Sequence, residues 1–300
     1  MSLDAPPPWL RRLVVLGLGY TGTHLVRRLR AHGVACVGTT RAPEAGDPAR
    51  CRFDGQLPVD PVLLDALGQA DAVLGSMPPD ADGDPALALC TEALAANPRL
   101  RWLGYLSSTG VYADRGGGIV DAASVADAKD DAARARLMAE RQWQGLAQRL
   151  GTACGVFRLA GIYGPGRNAL RQLAEGKARH RVKPGLVFNR IHVEDACDAI
   201  TASLWHTCTP DATYLLADAL PAPPQDVLAH AAALSGLPLP PPEPYDDRLA
   251  SPALRRFYGA SKRIDARQTQ HALQWWPRHG DYRQGLAALW RAGEGRTDTG

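Results

Sequence analysis

The segment RLVVLGLGYTG (12–22) runs a short apolar strand directly into three glycines spaced G-x-G-x-x-G. THLVRRLRAHG follows, with Leu25, Val26 and Leu29 on one helical face and Gly33 as a stop, and VACVGTT (34–40) is a second apolar strand. Strand, glycine turn, helix and strand in about thirty residues make one βαβ unit. Gly17 permits the tight turn, Gly19 lets the backbone approach a pyrophosphate, and Gly22 allows close helix–strand packing. The spacing alone is weak, because glycines also make plain turns. Between a strand and a helix it predicts dinucleotide binding, with Tyr20 and Thr21 in the same loop.

The same alternation continues. PVLLDALGQ (61–69) and PALALCTEALAANP (85–98) read as helices, and ADAVLGSM (70–77) and RWLGYLSS (101–108) as strands. A helix around 127–150 leads to the strand in CGVFRLAGIYGPG (154–166). Repeated βα units predict an α/β fold, a Rossmann-like doubly wound parallel sheet with helices on both faces. Its ligand is expected beyond the carboxyl ends of the strands. Past residue 165 the pattern loosens. The boundaries predict a dinucleotide-binding domain over 10–165 plus about 186–220. A smaller C-terminal substrate lobe is expected over about 166–185 and 221–295, with frayed tails at 1–9 and 296–300.

The end of the second strand bears on the choice of cofactor. NAD sites usually carry an acidic residue there to bond the ribose 2′-hydroxyl, whereas GTTRAPEAGD (38–47) offers Thr40 and Arg41. A guanidinium matches the 2′-phosphate of NADP, so NADP is expected over NAD. The alternative for Arg41 is an exposed loop arginine. Asp54 is a candidate for the adenine edge or, equally, a turn carboxylate.

Composition excludes several classes. A net charge of +3 is carried by scattered arginines, with no basic stripe and interleaved aromatics to suggest nucleic acid. The six cysteines form no C-x-x-C and no zinc-type cluster, so no metal is expected and the thiols read as reduced. The N-terminal MSLDAPPPWLRR lacks the apolar core of a signal peptide, and no run of about 18 apolar residues suggests a membrane span. A cytoplasmic protein with a small-molecule substrate is the expectation.

The blocks YLSSTGVYAD (105–114), FRLAGIYGPGRN (157–168), RIHVEDACDAI (190–200) and SKRIDARQTQHALQWWPRHGDYRQGLAAL (261–289) are more specific than the glycines. In that order, and together with the glycine turn, they resemble the extended short-chain dehydrogenase/reductase superfamily. More narrowly, the chain is similar to its atypical NAD-dependent epimerase/dehydratase-like members. The resemblance implies a pyrophosphate loop of Gly17, Gly19, Tyr20, Thr21 and Gly22. It also implies a cofactor-ribose segment at Ser76, Met77 and Pro78. Ser108 matches the family's active-site serine. Ile162 and Tyr163 match the nicotinamide side, and Thr109, Arg167 and His192 lie in blocks that face the substrate.

The departure lies on the helix containing DDAARARLMAE (130–140). The family places Tyr and Lys four apart, with a Glu four beyond the Lys. Anchored on Glu140, the lysine position is Arg136 and the tyrosine position is Ala132. Residues 115–162 contain no tyrosine, so a slipped alignment does not restore it. Ala132 transfers no proton. Arg136 stays protonated, able to bond the ribose but poorly suited to acid–base work.

Tyr163 is the first substitute donor, against a packed structural tyrosine; Tyr112 is better read as structural. His192 suits acid–base chemistry but equally a capping or packing position near Asp195, itself read as a helix N-cap. No G-x-S-x-G elbow surrounds Ser108, so a serine nucleophile is not supported. Trp275 and Trp276 read as core, and Gly116–Gly118 as either a mobile loop over the cleft or a long turn. Two functions stay open. One is an NAD(P)-dependent oxidoreductase or epimerase/dehydratase-like enzyme on a small polar metabolite such as a sugar nucleotide, with Ser108, Tyr163 and Arg136 as its candidate catalytic residues. The other is a non-catalytic NADP-binding sensor or partner-binding protein. A homodimer is a further possibility.

Overall fold

Seven strands pair side by side, all parallel, in the computed structural model, which describes residues 6–42, 49–206, 209 and 211–296. The first half contains β1 (Arg12–Leu16), α1 (Tyr20–Ala31), β2 (Ala35–Thr40), β3 (Arg50–Arg52), α2 (Pro61–Gly68), β4 (Ala72–Gly75), α3 (Pro85–Ala95), β5 (Trp102–Ser108), β6 (Ile119–Val120) and α4 (Asp131–Leu150). There follow β7 (Ala153–Leu159), β8 (Gly161–Tyr163), α5 (Ala169–Ala174), β9 (Arg181–Val182), β10 (Arg190–His192), α6 (Val193–Trp205) and β11 (Ala212–Leu216). The last elements are α7 (Pro224–Ser235), β12 (Glu243–Pro244), α8 (Pro252–Tyr258), β13 (Arg263–Ile264), α9 (Arg267–Leu273) and α10 (Tyr282–Arg291).

The main sheet runs β11-β7-β5-β4-β1-β2-β3. Strand order reverses at β1, which pairs with β2 on one side and β4 on the other. That reversal opens a crevice at the carboxyl ends, where the glycine turn lies. Both faces of β1 are buried, as a parallel sheet requires. Leu13 and Val15 pack with Leu25 and Leu29 of α1 and Ile200 of α6. Val14 and Leu16 pack with Leu63 of α2, Leu94 of α3 and Trp143 of α4. β3, which the sequence pattern did not separate from the loop, extends the sheet by pairing with β2 and buries Cys51.

A smaller core joins Leu170 and Leu173 of α5, Leu228 and Ala231 of α7, and Leu286 and Leu289 of α10. The segment 263–275 does not belong to it, although the sequence boundaries placed it there. Ile264, Leu273 and Trp275 pack into the main-sheet core. After α9, Gln274 turns the chain with a left-handed φ of 48°. Trp275 is then buried, whereas Trp276 is 55% exposed and not a core residue. The Gly116–Gly118 turn is pinned: the Arg115 and Gly117 amides donate to the Ser261 carbonyl at 3.0 and 2.9 Å. β6 pairs with β13 immediately beyond. Among the described residues no cysteine is disulfide-bonded, and Cys208 lies outside them. No described helix is long and apolar enough to cross a membrane.

Candidate active site

The turn after β1 is built by contacts to neighbouring strands. The Gly17 amide donates to Thr39 Oγ1 at 2.7 Å and the Leu18 amide to the Thr39 carbonyl at 2.7 Å. Gly17 has φ 97°, and a Cβ there would lie 2.8 Å from Met77 Cγ, so only glycine fits. A Cβ on Gly22 would press on Val15 Cγ1 at 3.2 Å, which is the close helix–strand packing expected. Gly19 differs: its Cβ would meet nothing within 4 Å, because it faces open space. Gly19 is also the N-cap of α1 and supplies no capping side chain. The first amides of α1 are thus left to a ligand at the positive end of the helix dipole.

Gly19, Tyr20, Thr21 and Ser76 form one end of a cleft of about 920 Å³. Its floor and far wall come from Ser108, Thr109, Ile162, Arg167, Ala132 and Arg136. Ser108 is half-buried at the end of β5, and its Oγ accepts the Gly110 amide at 3.0 Å. That oxygen keeps its hydroxyl hydrogen for a ligand in the cleft.

Helix α4 is held in register by a buried ion pair. Glu140, 3% exposed, meets Arg158 at 2.7 Å and accepts a hydrogen bond from Ser107 Oγ. Arg158 Nη1 donates to the Tyr112 hydroxyl at 2.7 Å, which anchors that ring, 2% exposed, beside the pair. One turn before Glu140, Arg136 reaches the cleft, where its Nη1 donates to the Leu106 carbonyl at 3.1 Å. One turn earlier still, Ala132 lines the cleft just inside the helix start, which Asp130 caps by accepting the Ala133 amide at 3.0 Å. The spacing read from the sequence therefore sets Ala132 and Arg136 on one wall.

Several sequence expectations are corrected. Tyr163 does not line the cleft; adjacent strand residues alternate, so Ile162 faces it and Tyr163 turns into the small lobe. Its hydroxyl lies 3.5 Å from the Asp281 carbonyl and beside Gly285, and burial pushes its pKa well up. A proton-transferring role for Tyr163 is unsupported. His192 is 2% exposed and also outside the cleft lining. It is the N-cap of α6, accepting the Glu194 amide through Nδ1 at 3.3 Å, and burial lowers its pKa to about 4. Asp195 is not that cap: its carboxylate accepts the Arg278 amide at 2.8 Å and meets His279 Nδ1 at 3.0 Å. His192, Glu194 and His279 offer ligand atoms within 4.8 Å of one another. With Nδ1 accepting an amide, however, the neutral His192 ring holds its proton on Nε2 and has no lone pair for an ion.

The remaining expected residues lie at the glycine-turn end of the cleft or near it. Thr39, rather than Thr40, makes the contact to the glycine loop. Arg41 is exposed just past β2, and residues 43–47 of its loop fall outside the described residues. Asp54 accepts the Gln56 amide at 3.1 Å, the geometry of a turn carboxylate. Met77 packs on Gly17, and Pro78 is exposed beyond it. Arg167 lies with its guanidinium 5.6 Å from the centre of the Tyr20 ring, and the Tyr20 hydroxyl donates to the Pro165 carbonyl at 2.9 Å.

Lys129, Arg256 and Lys262 also line the cleft and were not singled out from the sequence. Their only sequence signal is compositional: of 34 Lys and Arg residues, just four are lysines, at 129, 177, 183 and 262. With Arg136 and Arg167 they oppose only Asp114 and Asp130, so the lining has a positive excess.

No protein-family model matches the chain. A conserved protein of unknown function from Silicibacter pomeroyi DSS is 38% identical, with TM-score 0.82 over 94% of this chain and 99% of that one. Protein YeeZ of Escherichia coli (strain K12) is 28% identical over 208 residues, 65% of this chain and 73% of its own length. The UDP-glucuronic acid 4-epimerase of Bacillus cereus, solved in complex with NAD, is 16% identical, with TM-score 0.74 over 96% of this chain and 99% of that one. At that identity the likeness is one of fold.

Proposed function

We propose, from the premise that the chain belongs to one family with the Silicibacter pomeroyi DSS protein and has the fold of the extended short-chain dehydrogenase/reductase superfamily, that it binds a nicotinamide dinucleotide along the N-terminus of α1. On this reading it is an oxidoreductase or epimerase/dehydratase-like enzyme, with NADP favoured over NAD. The observation that carries the reading is the uncapped start of α1 beside the open face of Gly19, continuous with a cleft containing Ser108 and Arg136. When bound, the nicotinamide supplies hydride exchange at its C4.

The chain's own residues do the rest. The α1 amides hold the pyrophosphate, and Arg41 meets the 2′-phosphate. Arg136 bonds the nicotinamide ribose from the α4 wall. Ser108 donates its hydroxyl hydrogen to a substrate oxygen and orients it. The positive excess of the lining favours a small anionic metabolite, a sugar nucleotide being one such class. One observation favours a second reading, that of a non-catalytic NADP sensor: Ala132 stands at the family's tyrosine position.

Gly19→Ala tests the cofactor reading without disturbing the fold. Gly19 has φ −85° and ψ −164°, which alanine adopts without strain, and the new methyl touches no protein atom. The expected result is an unchanged melting temperature with NADPH binding, followed by its fluorescence, weakened at least about tenfold, a loss of about 1.4 kcal/mol. Equal NADPH binding by the two proteins would remove the dinucleotide from this loop.

A further inference from the structure

Lys262 is a buried ammonium in the wall of the cleft, 7% exposed, yet among the described residues it has one acceptor, the Tyr112 carbonyl at 2.7 Å. An ammonium carries three donors, so two N–H bonds remain for a ligand or water in the cleft. The backbone on either side is locked. The Ser261 amide donates to Asp114 Oδ1 at 2.7 Å and the Arg263 amide to the Gly118 carbonyl at 2.8 Å. Asn189 clasps the same segment, donating to the Lys262 carbonyl and accepting the Ile264 amide, each at 2.8 Å. With the backbone fixed, the bond to the Tyr112 carbonyl holds Nζ over the floor.

That point adjoins the reacting end of the cleft. Tyr112 closes the single 3-10 turn, Thr109–Val111, that begins at Ser108. Ser108 and Lys262 therefore face the same cleft from the two ends of one short turn. The position also holds one of the chain's few lysines, and lysine, unlike arginine, gives up its proton.

We propose that Lys262 supplies the proton that Ala132 cannot, exchanging it between Nζ and the substrate oxygen that Ser108 orients. The proposal rests on the hydride-transfer reading above. As the carbonyl carbon accepts hydride from the reduced nicotinamide, the carbonyl π pair moves onto oxygen. That oxygen takes a proton from the Nζ ammonium, and the neutral amine regains one from solvent. Oxidation runs the same steps in reverse. Burial lowers the Lys262 pKa from its ordinary value, bringing the amine nearer to working pH; Asp114 and Asp127 oppose that shift, and Arg115 adds to it.

Two measurements on the intact protein test this, with NADPH binding as the control on the underlying reading. The first is reductive labelling with pyridoxal 5′-phosphate and borohydride, located by mass spectrometry across pH. Lys262 is expected to label with a midpoint below that of Lys177, whose side chain is 73% exposed. A Lys262 that stays unlabelled, or titrates with Lys177, overturns the proposal. The second is NADPH oxidation with phenanthrenequinone as carbonyl probe. Lys262→Met and Lys262→Arg are expected to keep NADPH affinity and lose at least about 100-fold in turnover, along with the pH limb of the wild type. Full turnover by Lys262→Arg overturns the proposal, because charge alone then suffices. Wild-type labelling decides the matter if Lys262→Met does not fold. Loss of NADPH binding by the wild type would instead refute the cofactor reading. Intact binding without quinone reduction would leave Lys262 a binding group and overturn its proton-transfer role.

Discussion

Asp218 is where the fold makes stability depend on pH. It follows β11 and is 3% exposed; its Oδ1 accepts the Leu220 amide at 3.3 Å, and Oδ2 has no partner among the described residues. Burial raises its pKa from 3.8 to about 7, against the attraction of the nearby Arg190 guanidinium. The folded state thus holds this proton more tightly than the unfolded chain does. Stability from this group is fully present below about pH 4, falls as pH rises toward about 7, and is level above that. At about 1.4 kcal/mol per unit, the loss is about 4 kcal/mol. Asp218→Asn removes the titration while keeping the shape.

His192 titrates in an overlapping window with the opposite sign. Its pKa is lowered by burial to about 4, so its contribution is present above its ordinary pKa and is lost as pH falls through about 4. Comparing the variant with the wild type at each pH cancels that term. In urea unfolding between pH 4.5 and 8.5, Asp218→Asn should gain about 3 kcal/mol on the wild type across the range. In thermal melts the gain should approach about 5 °C. A difference that changes by less than about 1 kcal/mol would refute the buried, proton-holding carboxyl.

Three further outcomes follow from the contacts described. Arg41→Ala should weaken NADPH about tenfold or more and leave NADH nearly unchanged, measured by fluorescence titration; equal losses would remove the 2′-phosphate contact. Glu140→Gln uncouples the buried pair with Arg158 and should cost about 3–5 kcal/mol in denaturant unfolding, whereas a surface-like loss below about 1 kcal/mol would show that α4 is not clamped there. Tyr163→Phe should leave NADPH binding intact and cost no more than about 1 kcal/mol, because its hydroxyl makes only a 3.5 Å contact; abolished cofactor binding would return Tyr163 to the cleft.

Local pattern carried the architecture. The period of apolar residues and the spacing of Gly17, Gly19 and Gly22 suffice for the βα alternation, the parallel sheet and the glycine turn after β1, because each depends on residues within about one turn or strand of one another. The four-residue spacing from Glu140 likewise located Arg136 and Ala132 on one helical face. What lay beyond the sequence depends on register between distant elements. Strand parity put Ile162 in the cleft and Tyr163 behind it, and Asp195 passed over its own helix start for His279, 84 residues away. Lys262 reaches the floor of the cleft through a hydrogen bond to a carbonyl 150 residues earlier. No local periodicity encodes such a contact; it exists only once β6, β13 and the loop holding Asn189 have packed together. The sequence alone determined the glycine-turn βα fold and set Ala132 and Arg136 on one helical face, and tertiary packing decided which distant side chains, Lys262 among them, line the cleft beside them.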